Sequence, residues 1–219
     1  LKGYWSIIHN VQIHEIMSIV GFDLAIVDLE HGTYSFQDAL ESIIAVKSKG
    51  MYALIRPSSH NEKEILRCLE IVPDGICIPN IKNFQQAQEV LSSINYPPLG
   101  IREASGFTKA TNYEDINFQS YINLTNDSLF VSLISEGTEG IKNAKKIEEI
   151  DGVDNIYYGT YDIAPSLEID DQKDEIVNKI VNESIDEIND ELSFGQFCVS
   201  KKQFNNLDSR INMVLHGVD

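Results

Sequence analysis

The side chains that could do chemistry fall in five short blocks of the 219-residue chain: Asp28-Leu29-Glu30-His31-Gly32, Arg56-Pro57, Pro79-Asn80, Ser135-Glu136 and Gly159-Thr160-Tyr161-Asp162. Together they offer carboxylates, a histidine for proton transfer and an arginine for holding an anion. Taken singly, Glu136 or Asp162 reads as a cap for a following helix, and His31 is as readily structural as catalytic. Arg56 is harder to set aside. The chain has four arginines, and this one directly follows Ala53-Leu54-Ile55. A guanidinium does not shed its charge, so at a buried strand end it needs an anionic partner. His9, His14, His60 and His216 lack metal-ligand spacing and read as structural.

What unites the blocks is position, since each follows a short apolar run. Eight such runs are expected as strands: Trp5–Ile8, Ala25–Leu29, Ala53–Ile55, Gly75–Pro79, Phe130–Ile134, Asn155–Gly159, Phe197–Val199 and Met213–His216. They show little alternation, as expected of strands covered on both faces. Between them lie segments of helical period. Ile13, Ile16, Met17 and Val20 are one, ended by Gly21. Ser35 with Asp38, Asn61 with Glu64 and Asn83 with Gln86 resemble capping boxes ahead of three more. Val177, Ile180, Val181 and Ile188 mark a long polar helix, and the connection from Tyr96 to Asp127 is the one long insertion. Repeated βα units of this length read as one (β/α)8 TIM-barrel domain over residues 1–219. A doubly wound open sheet competes, because periodicity does not reveal closure. In a barrel the active site lies where strands end, which is where the five blocks stand. The chain stops just after the eighth strand, so the eighth helix is expected to be missing here or exchanged between subunits of a homo-oligomer.

Bulk properties narrow the partners. Hydrophobic residues make up 42% and charged residues 23%, an ordinary globular composition. Thirty-four acidic against 17 basic residues give a net charge of −17, which repels phosphate backbones and argues against nucleic acid. No apolar run is long enough to span a bilayer, and no secretory leader is visible. Cys68, Cys77 and Cys198 sit among apolar residues without CxxC spacing. They read as buried reduced thiols, which fits the cytoplasm.

The blocks also resemble a known family, the HpcH/HpaI aldolases: pyruvate-dependent class II enzymes on a TIM barrel. The landmarks are Gly21-Phe22-Asp23 with Val27-Asp28-Leu29-Glu30-His31-Gly32, Ile55-Arg56-Pro57, Gly75-Ile76-Cys77-Ile78-Pro79, and Tyr96-Pro97-Pro98-Leu99-Gly100-Ile101-Arg102. Glu136 with Gly140 and Asn143, Gly152-Val153-Asp154, and Gly159-Thr160-Tyr161-Asp162-Ile163 complete the series. The resemblance implies that Glu136 and Asp162 ligate a divalent cation such as Mg²⁺, Mn²⁺ or Co²⁺. It implies that Arg56 holds the keto oxygen of pyruvate as it becomes an enolate, and that His31, oriented by Asp28, serves the proton transfers. Backbone amides of Tyr161 and Asp162 would receive the substrate carboxylate.

The implied activity is a carbon–carbon lyase that reversibly adds the enolate of pyruvate to an aldehyde, in a trimer or pair of trimers. A citrate-synthase-like or CoA-linked condensing enzyme on the same barrel is the alternative, as is a catalytically idle barrel that binds a 2-oxo acid. Departures from the family pattern, at Glu136-Gly137, Arg102-Glu103 and Ser166-Leu167-Glu168, touch the pocket wall and leave the aldehyde open. A Schiff-base mechanism is not expected, because no candidate strand contains a lysine.

Overall fold

The computed structural model describes residues 1–169, 175–189 and 191–219. Strands and helices alternate as β1 (Lys2–Ser6), α1 (Val11–Ile19), β2 (Leu24–Asp28), α2 (Phe36–Ser48), β3 (Tyr52–Arg56), α3 (Glu62–Glu70), β4 (Gly75–Ile81) and α4 (Phe84–Ile94). They continue as α5 (Phe118–Ser128), β5 (Phe130–Ser135), α6 (Gly137–Ile147), β6 (Asn155–Tyr158), α7 (Thr160–Ser166), α8 (Glu175–Asp186), β7 (Ser193–Phe197), α9 (Lys201–Asn205) and β8 (Ile211–Val218). All neighbouring strands are parallel, and β1 pairs with both β2 and β8. The sheet is therefore closed, a (β/α)8 barrel rather than an open doubly wound sheet.

Alternate strand residues face two different cores. Outward side chains such as Ala25, Val27, Ile55, Ile76 and Ile78 pack against Ala39, Ile43, Ile65 and Val90 of the surrounding helices. Inward ones, among them Trp5, Ile26, Leu54, Cys77, Ile134, Tyr157 and Leu215, fill the barrel. Burying both faces explains why the strands read as nearly continuous apolar runs. Below them Ser132, Asn155 and Ser193 are linked in a hydrogen-bonded chain, at 2.8 and 2.9 Å.

Two expected strands are corrected. β7 is Ser193–Phe197, not Phe197–Val199. Its inward residue Gly195 has no side chain because Tyr157 and Met213 occupy that space; a Cβ there would meet Tyr157 Cδ2 at 2.5 Å. An apolar search is blind to such a strand. β1 ends at Ser6 rather than Ile8, and the amides of Ile7 and Ile8 donate instead to Asp219 Oδ1, at 2.8 and 3.1 Å. The long insertion carries a 3-10 turn (Lys109–Thr111) and helix α5, none of whose residues is fully buried, though Tyr121 packs edge-on against Tyr96.

The helix starts follow the expected polar residues, with local variations. Ser35 and Asp38 form a reciprocal capping box. Asn61 and Asn83 cap α3 and α4, but Glu64 turns back to Ser58 and Ser59, and Gln86 to the Lys82 amide. Lys173, which the sequence places in a helical segment rather than a strand, lies outside the described residues.

Candidate active site at the barrel mouth

The turn after β2 is built around one carboxylate. Asp28 Oδ1 accepts the amides of Glu30 at 2.9 Å and His31 at 3.3 Å. Two residues on, a Cβ at Gly32 would lie 2.1 Å from the Asp28 carbonyl oxygen, so the turn admits only glycine there. The spacing Asp-x-Glu-His-Gly is thus a folding instruction as well as a chemical one: it lifts Glu30 and His31 to the rim and keeps Asp28 buried.

Across the β2–β3 register Asp28 pairs with Arg56. The guanidinium donates to it twice, Nε to Oδ1 at 2.8 Å and Nη2 to Oδ2 at 2.5 Å. Nη1 lies 3.1 Å from Glu30 Oε2, and the Trp5 ring supports the group from 4.2 Å. Burial opposes the charge on Arg56, but the hydrogen bonds and charge of Asp28, then Glu30, outweigh it and hold its pKa above the ordinary value. This is the anionic partner that the sequence required for Arg56.

Glu136, just beyond β5, and Asp162, in the first turn of α7, line the same cavity of about 290 Å³ as Asp28, His31 and Arg56. Burial, then the charges of Asp162 and Glu30, push the Glu136 carboxyl up to about 7, against the pull of Arg56 and the Asn80 amide. Glu30 is raised in the same sense, first by burial, with Arg56 and His31 opposing. Repulsion among carboxylates facing one cavity is what a bound cation would relieve. Glu136 and Asp162 are the pair that could hold one. Among the described residues no group of three or more His, Cys, Asp or Glu forms a ligating cluster, so water or substrate would complete the shell. That suits a hard divalent ion such as Mg²⁺.

Glycines shape this corner. A Cβ on Gly159 would stand 2.8 Å from Glu136 Cγ. Gly137 adopts φ +73°, a conformation few side chains accept. Behind it, Asn143 Nδ2 donates to the Lys82 carbonyl at 3.0 Å and ties α6 to the end of β4.

Two expected relationships differ in the structure. Asp28 holds the backbone of His31 but not its imidazole. That ring is largely exposed, and the carboxylate beside it is that of Glu30, with Nε2 at 3.8 Å from Oε2. The Asp28 carboxylate is already committed to Arg56 and cannot also turn outward. Second, the Asp162 amide donates to the Gly159 carbonyl at 3.1 Å, so it is engaged in the first turn of α7. Arg102 lies away from this site, stacked on Tyr96 at 4.3 Å and lining a cavity at the opposite end of the barrel. Glu30 stood in the motif but was not among the expected site residues, and Tyr157 both packs in the barrel and lines the cavity.

Comparison with known proteins gives a consistent picture. A family model described as HpcH/HpaI aldolase/citrate lyase matches residues 2–184. The hydroxypyruvate/pyruvate aldolase of Sagittula stellata is 28% identical over 164 residues, 75% of this chain and 64% of that protein. The 4-hydroxy-2-oxo-heptane-1,7-dioate aldolase of Salmonella paratyphi A is 27% identical over 166 residues, 75% of this chain and 62% of that protein. The chain thus spans less than two thirds of the length of these relatives. The HpcH/HpaI aldolase structure from Desulfitobacterium hafniense shares the fold, with a TM-score of 0.88 at 24% identity over 100% of this chain and 86% of the other.

Proposed function

The chain belongs to the HpcH/HpaI aldolase/citrate lyase family, and on that premise we propose that it is a metal-dependent lyase that reversibly adds the enolate of pyruvate to an aldehyde. One observation carries the reading: Arg56, clamped by Asp28 and Glu30, shares a small cavity with Glu136 and Asp162. A buried guanidinium beside a pair of carboxylates is what an oxyanion next to a divalent cation requires.

In the forward direction pyruvate loses a C3 proton, and C3 bonds to the carbonyl carbon of the aldehyde. The aldehyde oxygen takes up a proton, giving a 4-hydroxy-2-oxo acid with no change in oxidation balance. A divalent cation (Mg²⁺, Mn²⁺ or Co²⁺) between Glu136 and Asp162 would supply Lewis-acid stabilisation of the 2-oxo acid and its enolate. Arg56 binds the developing oxyanion. Of the five N–H groups in a guanidinium, two donate to Asp28, and Nη1 is ion-paired with Glu30 at 3.1 Å, which leaves donors for substrate without releasing the clamp. His31, exposed at the rim, exchanges protons with substrate and solvent. Tyr161 and Asp162 border the substrate carboxylate.

The same reading takes residues 1–219 as one barrel domain in the cytoplasm, in keeping with three free buried cysteines. Among the described residues no helix is long and apolar enough to cross a membrane. It also includes a homo-oligomer, a trimer or a pair of trimers, because Ile16, Ile19 and Val20 leave apolar surface exposed at the end of α1.

Deuterium exchange into the pyruvate methyl group, followed by NMR, tests enolate formation without presupposing an aldehyde. Exchange should require added metal and stop with chelator. Metal-dependent pyruvate binding without exchange would instead make this an idle barrel.

A further inference from the structure

The cavity is divided in a way that bears on the second substrate. Its charged side comes from the ends of β2, β3 and β5 and the start of α7, as Asp28, Arg56, Glu136 and Asp162. Besides His31, Tyr157 and Thr160, the lining includes an arc over β7, β8 and β1, which are neighbours in the closed sheet. This arc presents Phe197, Val218, Ile7 and Trp5, with Tyr161 leaning on Phe197 at 5.6 Å between centroids. Among the described lining residues, Arg56 is the one guanidinium or ammonium, and it is already shared by two carboxylates.

We infer that the aldehyde partner is short, uncharged and apolar, seated on the Tyr161–Phe197–Val218 wall; this rests on the aldolase reading above. A carboxylate, sulfonate or phosphate at the far end of the aldehyde would lie on the Phe197 and Val218 side chains with no guanidinium or ammonium beside it. Desolvating an anion without a partner is costly, whereas a methyl or isopropyl end gains from burial. The cavity volume of about 290 Å³ lies near the lower end of small-molecule sites, about 300–1,000 Å³. With pyruvate inside, a short chain fills what remains of the enclosed space, and a longer one would extend past Tyr161 and Val218 at the half-exposed mouth.

The test compares two aldehydes of the same branching and heavy-atom count, 4-methylpentanal and 4-oxobutanoate, with pyruvate and Mg²⁺ or Mn²⁺. The inference expects kcat/KM to favour 4-methylpentanal by about tenfold or more. The preference should persist in 0.5 M NaCl. In Val218→Lys, which places an ammonium on the wall, the ratio should shift by about tenfold toward 4-oxobutanoate. Equal rates, or preference for 4-oxobutanoate, would overturn the inference and leave the aldolase reading standing, provided pyruvate methyl exchange is seen. A preference that vanishes in salt would also overturn it, because the protein's net charge of −17, rather than the wall, would then be excluding the anion. Absence of both exchange and addition would sink the aldolase reading and the inference with it. Should Val218→Lys fail to fold, the wild-type ratio and its salt dependence still decide.

Discussion

Asp28 and Arg56 stand opposite each other in the β2–β3 register and close a two-pronged ion pair in the barrel mouth, at 2.8 and 2.5 Å. Both are buried, and the same Asp28 oxygen that accepts Arg56 Nε also accepts the amides of Glu30 and His31. One carboxylate therefore fixes the arginine and the rim turn together. Glu30, at 3.1 Å from Nη1, reaches the guanidinium from the other side.

Asp28 is expected to act on substrate through Arg56 more than through the His31 imidazole. Asp28→Asn and Arg56→Lys should each lower the metal-dependent exchange rate of pyruvate by about 100-fold or more. In double-variant cycles on that rate, Asp28 and Arg56 should couple by about 1–3 kcal/mol, and Asp28→Asn with His31→Ala by less than about 0.5 kcal/mol. Strong coupling to His31 and none to Arg56 would reverse the assignment.

Glu136→Gln should keep the fold and lower Mn²⁺ affinity by about 100-fold, read by calorimetry, since ligand charge sets the affinity of oxygen-donor sites. Unchanged affinity would remove Glu136 from the donor set.

The same residue predicts a pH dependence of the metal-free protein. The Glu136 pKa is raised from 4.5 to about 7 in the fold, chiefly by burial. Between those values the unfolded chain releases its proton while the folded protein retains it. The contribution is therefore fully present below pH 4.5 and is lost as pH rises toward about 7. Thermal melts in chelator should show this fall for the wild type and a flatter profile for Glu136→Gln. Parallel profiles would contradict it.

Gly159→Ala places a methyl group 2.8 Å from Glu136 Cγ. It should displace the carboxylate and weaken Mn²⁺ binding by about tenfold or more with circular dichroism unchanged. Wild-type affinity in that variant would show that Glu136 has room to move.

No Schiff base is expected. Among the described residues no lysine lines the cavity. Lys2, contrary to expectation, does belong to a strand, but it begins β1 at the exposed end and lies 4.4 Å over the Phe22 ring. An imine lysine needs desolvation to free its lone pair. Borohydride with pyruvate should leave the protein mass unchanged, and a pyruvyl adduct with chelator-resistant activity would overturn the mechanism.

The sequence by itself determined what depends on neighbours along the chain. Apolar runs of strand length, Ser35 with Asp38 at a helix start, and the Asp-x-Glu-His-Gly turn are local, and each stands in the structure near where its pattern put it. It also required an anion beside Arg56, because a buried guanidinium cannot do without one. Which anion it was, only the tertiary structure decided. The β2–β3 register sets residues 28 and 56 opposite each other, and that choice withdrew Asp28 from the His31 imidazole and brought in Glu30. The bounds of β7 escaped a search for apolar runs because its inward glycine makes room for Tyr157 from neighbouring β6. α5 lies within the long insertion and has no fully buried residue to mark it. Chain-local preferences are written in spacing, whereas partners across strands follow from register and closure, which no single segment encodes.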